Sequence, residues 1–258
     1  MSHLIILAAG KGTRMKSSTS KLLTPVKGVP LIARLLKNVE SFSARPTLVV
    51  GHQAENVIRA TGALYHYIFQ DKQMGTGHAL SCALSSLEDV FADTILVVYG
   101  DHPLISASTL KQIEDTKHSS GAVAALGTII VPHFEGVYFP LNHYGRIIRD
   151  DEGSIVDIKE FKDANETERR ILEVNPGFYC FDRKWLIRNI SKLENSNAAG
   201  EFYLTDIIKI ALMGGQKVAT LELSSISSVG EALGINTPEE LALVESFIEK
   251  NERGEKPC

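Results

Sequence analysis

The stretch "LAAGKGTRMKSSTSK", Leu7–Lys21, decides how this chain is read. It follows a short apolar run, "LIILAA" (Leu4–Ala9), that reads as a buried strand. It carries Gly10 and Gly12, then Arg14 and several lysines ending at Lys21. A glycine-rich turn after a first strand serves a dinucleotide, a P-loop or a nucleotidyl-transfer site. A dinucleotide fold needs G-x-G-x-x-G with an acidic residue about 20 positions on. Here Met15 stands where the third glycine belongs, and that acidic residue is missing. The P-loop spacing G-x-x-x-x-G-K-[ST] is absent as well. What remains is a loop at the carboxyl end of a strand, where open α/β sheets bind ligands. Glycines let backbone N–H groups approach phosphate oxygens closely. Arg14 offers a forked donor, and Lys21 a mobile point charge.

Further apolar runs alternate with helical patterns. "TLVVG" (Thr47–Gly51), "YHYIFQ" (Tyr65–Gln70) and "TILVVYGD" (Thr94–Asp101) read as strands. Leu31–Val39, Ala54–Thr61, Thr76–Ser86 and Ser106–His118 read as helices. Thr76 can cap the third helix, and Ser106 or Ser108 the fourth. This alternation predicts an α/β fold: a Rossmann-like, mixed but mainly parallel sheet with helices on both faces. Beyond it, "AVAALGTIIV", "RIIRD", "SIVDIKEF" and "NPGFYCFD" are strand-like. Helices return at Lys184–Leu193, Leu204–Met213 and Thr237–Lys250, with a further strand in "KVATLEL" (Lys217–Leu223). No linker or repeat divides the 258 residues. The expected organisation is one domain over 1–258, with a nucleotide-binding half at 1–105, an acceptor half at 106–236 and a C-terminal helix at 237–250.

Composition narrows the function. The net charge of -4 gives no global basic field for nucleic acid. No stretch approaches the roughly 20 apolar residues of a membrane span, and the N-terminal run is too short for a signal peptide. Cys82, Cys180 and Cys258 are widely spaced, with no CxxC pair. Idle thiols in a reducing, cytoplasmic compartment are the expected reading.

Three more stretches carry chemistry. In "QMGTGHA" (Gln73–Ala79), the Gln73 amide offers a donor and an acceptor that match the edge of a uracil. Gly75 and Thr76 then open a helix whose N-terminus suits an anion or a polar base edge. In "VVYGDHPL" (Val97–Leu104), Asp101 follows a buried strand, where a carboxylate can hold Mg2+ against a nucleotide phosphate. In "LGINTPEEL" (Leu233–Leu241), the Asn236 amide oxygen can be a second metal ligand, and Thr237 a helix cap.

Taken in order, these stretches resemble the sugar-1-phosphate nucleotidyltransferases. The resemblance is strongest to the uridyltransferase (pyrophosphorylase) domain of bacterial bifunctional N-acetylglucosamine-1-phosphate uridyltransferases. That signature runs L-A-A-G-x-G-T-R-M with a following lysine, Q-x-G-T-G-H-A, then Y-G-D-x-P-L. It continues here through "YGRIIRD", "IKEFKDA", "EVNPGFYCF", "AAGEFYLTDII" and "LGIN", over nearly the whole chain. The resemblance implies transfer of a uridylyl group from UTP to a sugar-1-phosphate, above all N-acetylglucosamine-1-phosphate, with Mg2+ as cofactor. It implies that Ala8, Ala9, Gly10 and Gly12 face the nucleotide, with Gln73, Gly75 and Thr76 completing base recognition. Arg14 and Lys21 hold the triphosphate as catalytic groups. Asp101 and Asn236 ligate the metal, and Tyr99, Gly145, Glu160 and Asn175 line the amino-sugar pocket.

The chain departs from the pattern at four places. Ser20 replaces the usual proline before the lysine, and Phe161 stands where histidine is common. The run Gly127–Ile147 is longer than usual, which predicts an extended hairpin or flap beside the acceptor site. No hexapeptide repeats of the bifunctional members' β-helix follow. Acetyl transfer and the β-helix trimer are therefore not expected. Two alternatives stay open: nucleotidyl transfer with another nucleotide or acceptor, and a non-catalytic nucleotide-binding regulator.

Overall fold

The computed structural model describes residues 1–12, 15, 20–87, 91–223 and 226–253. Arg14 and Cys258, both singled out above, lie outside the described residues. The chain opens with strand β1 (Ser2–Ala8) and a short hairpin, β2 (Pro25–Val26) and β3 (Val29–Pro30). Lys27 and Gly28 turn that hairpin, both at positive φ (48° and 76°), as a tight two-residue turn demands. Helix α1 (Leu31–Val39), β4 (Thr47–Val50), α2 (Ala54–Thr61), β5 (His66–Phe69), α3 (Thr76–Leu84), β6 (Thr94–Tyr99) and α4 (Ala107–Ser120) follow. These include the four strands and four helices that the alternating pattern predicts.

Strands β5, β4, β1 and β6 lie side by side, all parallel. Residues of β1 alternate between two cores. Leu4, Ile6 and Ala8 pack with α1 and α2 on one face; Ile5 and Leu7 pack with α3 on the other. A strand covered on both faces needs no polar residue, which is why "LIILAA" is continuously apolar.

The second half extends the same sheet. It supplies β7 (Ala124–Ile130), β8 (Gly145–Arg149), β9 (Ile155–Lys159), the short helix α5 (Glu166–Arg169), β10 (Glu173–Asn175) and β11 (Tyr179–Asp182). Then come α6 (Arg183–Asn189), α7 (Asp206–Met213), β12 (Val218–Glu222), α8 (Ile226–Ala232) and α9 (Pro238–Glu252). Among the described residues one sheet of ten strands results, in the order β5-β4-β1-β6-β11-β7-β10-β8-β9, with β12 also on β7. Strand β11 runs antiparallel to both β6 and β7, so the sheet is mixed.

Both β10 and β11 pair antiparallel with β7, but not in one register. Val174 faces Ile129, whereas Tyr179 faces Leu126. The chain bulges between them, and Gly177 takes a φ of 88° there.

Two local expectations change, and one choice of cap is settled. Gly75, not Thr76, is the residue that precedes α3; Thr76 is its first helical residue, and its hydroxyl accepts from the Leu204 amide at 3.0 Å. At α4 the cap is Ser106, whose side chain accepts from the Thr109 amide. The segment after β7 does not extend a hairpin. Residues 136–143 wind into 3-10 turns, and the Arg146 guanidinium holds them by donating to the Asn142 and Tyr144 carbonyls. Arg146 is fully buried between the Phe134 and Phe161 rings, 4.5 and 5.3 Å from their centroids. Phe161, at the position of the common histidine, thus packs against a cation.

Candidate active site

A cleft of about 520 Å³ opens at the carboxyl ends of β1 and β6. Strand β1 delivers Ala8 to its floor, and the turn that follows brings Ala9, Gly10, Lys11 and Gly12. Gly12 sits at φ 62°, and a Cβ there would fall 2.6 Å from Lys21 Cβ. Only glycine lets the loop close on Lys21 in this way. Ser20 has φ -53°, the value that proline imposes. The entry to Lys21 therefore keeps a proline-like backbone without the proline.

The opposite wall comes from the loop into α3. The Gln73 amide donates to the Gln70 carbonyl at 3.0 Å, and buried Gln70 donates in turn to the Gly75 carbonyl. Gly75 and Thr76 follow at the helix start. The loop before α7 clamps this start: Gly77 N–H donates to Phe202 O at 2.8 Å, and Phe202 N–H to Met74 O at 2.8 Å. The same loop places Glu201 in the lining.

At the base of the cleft three polar side chains converge. Lys21 Nζ donates to Asp101 Oδ2 at 2.7 Å and to Asn236 Oδ1 at 2.8 Å. Strand β6 carries Asp101 just past its end, and the turn before α9 carries Asn236. The Asn236 and Thr237 amides both donate to Glu240 Oε2, and Thr237 caps the helix. Burial alone would raise the Asp101 carboxyl, but the Lys21 ammonium and the adjacent His102 hold it well below the usual carboxylate range.

Among the described residues no cluster of three His, Cys, Asp or Glu side chains is placed to hold a metal ion. Asp101 and Asn236 are a different kind of donor set: two hard oxygens at the base of the cleft. A divalent ion of the Mg2+ type takes one or two such protein oxygens and completes its shell with phosphates and water. Asp101 Oδ1 is buried with no hydrogen-bond partner among the described residues, although His102 Nδ1 lies 3.0 Å away out of alignment. This unsatisfied anionic oxygen fits a cation.

The candidates divide cleanly. Ala8, Ala9, Gly10, Gly12, Lys21, Gln73, Gly75, Thr76, Tyr99, Asp101 and Asn236 all line this one cleft. Gly145, Glu160 and Asn175 do not line it. Glu160 instead borders a second cleft of about 400 Å³, with Asp163 and Tyr203. Its Oε1 accepts from the Thr205 hydroxyl at 2.9 Å. Burial, then the charges of Asp206, Asp163 and Glu201, push its carboxyl up against that hydrogen bond. Gly145 lies in β8, paired with Asn175 in β10. Asn175 donates to the Tyr179 hydroxyl and accepts from the Gly177 amide. Tyr99 links the two groups: it lines the first cleft, and a Cβ on Gly177 would fall 2.1 Å from its ring. Gln70, Glu201 and Gly177 are not among the candidates, although Gly177 lies inside "EVNPGFYCF" and Glu201 inside "AAGEFYLTDII".

Residues 4–192 match the family model of the MobA-like NTP transferase domain. The chain is 39% identical over 250 residues to the bifunctional protein GlmU of Caldicellulosiruptor saccharolyticus, covering 96% of this chain and 52% of that protein. It is 41% identical over 245 residues to the bifunctional protein GlmU of Geobacillus thermodenitrificans, covering 95% and 50%. The chain thus spans about half the length of the curated relatives it matches. Among solved structures, it resembles a CMP:2-keto-3-deoxy-manno-octonic acid synthetase complexed with CTP, at TM-score 0.67 and 15% identity over 97% of this chain and 99% of that one. It also resembles a Bacillus anthracis protein assigned as a glucose-1-phosphate thymidylyltransferase, in complex with a sucrose, at TM-score 0.70 and 21% identity over 96% and 95%. At these identities the two structures establish the fold alone: a mixed, mostly parallel sheet with helices.

Proposed function

We propose that this chain, which belongs to the MobA-like NTP transferase domain family, transfers a uridylyl group from UTP to a sugar-1-phosphate, with N-acetylglucosamine-1-phosphate as the acceptor. The observation that carries the reading is the convergence of Lys21, Asp101 and Asn236 in a cleft walled by the Gly10–Gly12 loop and Gln73. The likeness to two GlmU proteins supports a sugar-1-phosphate nucleotidyltransferase, and the motif resemblance supports the choice of UTP and amino sugar.

In this reading the uracil lies between the Ala8–Gly10 backbone and the Gln73 amide. A phosphate oxygen of the sugar phosphate attacks the α-phosphorus of UTP. The bond from that phosphorus to the bridging oxygen breaks, and pyrophosphate leaves with the bond's electrons. No side chain becomes covalently attached, so catalysis rests on positioning and on neutralising charge. Lys21 steadies the α-phosphate, and Arg14 favours the departing pyrophosphate. Asp101 and Asn236 hold a divalent cation, Mg2+ in this reading, whose chemistry when bound is neutralisation of phosphate charge. Glu160 accepts from sugar hydroxyls, while Asn175 and Gly145 border the acetamido side. Tyr99 joins the two sites; burial, then neighbouring Tyr179 and Glu160, raise its phenol well above the ordinary value.

A cytoplasmic setting goes with this reading, since Cys82 and Cys180 are free thiols. No helix among the described residues is long and apolar enough to cross a membrane.

The test is pyrophosphate release across a matrix of nucleoside triphosphates and sugar-1-phosphates. Maximal release with UTP and N-acetylglucosamine-1-phosphate is expected. Maximal release with a different pair would move the reading to another nucleotidyltransferase, and silence across the matrix would overturn it.

A further inference from the structure

Asp101 and Asn236 reach the base of the cleft from distant parts of the chain, and something must fix their spacing. One link is backbone: the Ile235 amide donates to the Asp101 carbonyl at 2.9 Å. The Lys21 ammonium bonds both side chains, and a further link runs through Tyr144. Its hydroxyl donates to the Ala232 carbonyl at 2.8 Å and accepts from the Gly234 amide at 3.0 Å. Those two bonds pin both ends of the turn that leads into Asn236. The same hydroxyl lies 3.5 Å from His102 Nε2, and the two rings meet edge to face with centroids 6.3 Å apart. His102, only 3% exposed, puts its Nδ1 3.0 Å from Asp101 Oδ1. One side chain therefore touches the support of each cation-side candidate.

Its position in the chain adds a consequence. Tyr144 immediately precedes Gly145, the first residue of the strand that pairs with β10 and β9 on the acceptor side. A shift of that strand moves the Tyr144 hydroxyl, and with it the turn that sets Asn236.

We infer that Tyr144 is a positioning residue of the cation pair: through Ala232 and Gly234, and through His102, it sets the spacing of Asp101 and Asn236. The inference rests on the reading of Asp101 and Asn236 as cation ligands. Residues that orient metal ligands from behind govern affinity for the ion, because a misplaced oxygen must be moved on binding.

The test is Mn2+ binding, followed by electron paramagnetic resonance, to the protein saturated with UDP-N-acetylglucosamine. Tyr144→Phe keeps the ring on His102 and removes only the hydroxyl. It is expected to weaken Mn2+ binding about tenfold. In turnover it should raise the Mg2+ concentration for half-maximal rate while leaving the KM for UTP within about twofold. Gly234→Ala approaches the pair from the other side, since its Cβ would stand 3.3 Å from His102 Cε1 and from the Tyr144 hydroxyl. It should shift Mn2+ affinity in the same direction. Asp101→Ala serves as the reference and should abolish binding. Wild-type affinity in Tyr144→Phe, with binding lost in Asp101→Ala, would overturn the role of Tyr144 alone. Wild-type binding in Asp101→Ala would overturn the cation reading beneath it, and this inference with it.

Discussion

Lys21 Nζ lies 2.7 Å from Asp101 Oδ2, and both side chains are largely buried. The ammonium is the counterion of a carboxylate that burial would otherwise neutralise. Removing one partner of such a pair leaves an uncompensated buried charge, which typically costs about 3 kcal/mol. Lys21→Met should therefore lower unfolding free energy by about that much at neutral pH, read by urea titration. It should also lower turnover on the order of 100-fold, read as pyrophosphate release.

The same pair sets an acid dependence. The folded Asp101 carboxyl is held below its unfolded value, so its contribution is complete above the unfolded pKa of about 3.9. It fades as pH falls below that value. The stability gap between wild type and Lys21→Met should be full at neutral pH and should narrow as pH falls, because burial without the ammonium raises the variant's Asp101 carboxyl and it takes up its proton first. Urea titrations at several pH values check this. A gap that is constant down to about pH 2.5 would contradict the pairing.

Glu160 titrates in the opposite sense. Burial raises its folded carboxyl above the unfolded value, so its ionisation costs stability as pH rises beyond about 4.3. Glu160→Gln removes that cost and keeps an acceptor for the Thr205 hydroxyl. Its melting temperature relative to wild type should rise from about pH 4 to about pH 8. At the upper end of that range, where the carboxyl is ionised, its KM for the sugar phosphate should be raised about tenfold or more, because a charged acceptor is lost. The variant would be the more stable and the poorer enzyme.

Gly177 stands at a φ of 88°, with the Tyr99 ring where a side chain would begin. Gly177→Ala must displace Tyr99 or the bulge that carries Asn175. A destabilisation of about 2 kcal/mol is expected from strain and overpacking together. Because Tyr99 lines the cleft, its displacement should raise KM for both substrates, measured in initial-rate assays.

Much of this was legible before the structure. Helices α1 and α2 have the bounds that their apolar spacing predicts. The buried strands announced themselves as continuous apolar runs, because both sheet faces are covered. Most cleft residues sit on short motifs that follow a strand end, whereas Asn236 follows α8. What stayed hidden depends on tertiary approach. The β2–β3 hairpin is too short to show a period. The 3-10 run at 136–143 is set by a buried arginine reaching back from β8. The cap at Gly75 arises because the Thr76 hydroxyl is taken by the Leu204 amide. Glu201 enters the lining only because its loop clamps α3 from a distant part of the chain.

The most direct test of uridylyl transfer follows the atoms. N-acetylglucosamine-1-phosphate labelled with 18O in its phosphate oxygens is incubated with UTP, Mg2+ and the protein, and the products are weighed by mass spectrometry. Direct attack on the α-phosphorus predicts UDP-N-acetylglucosamine carrying all of the label, beside unlabelled pyrophosphate. Label in the pyrophosphate, or no nucleotide sugar at all, would contradict the account.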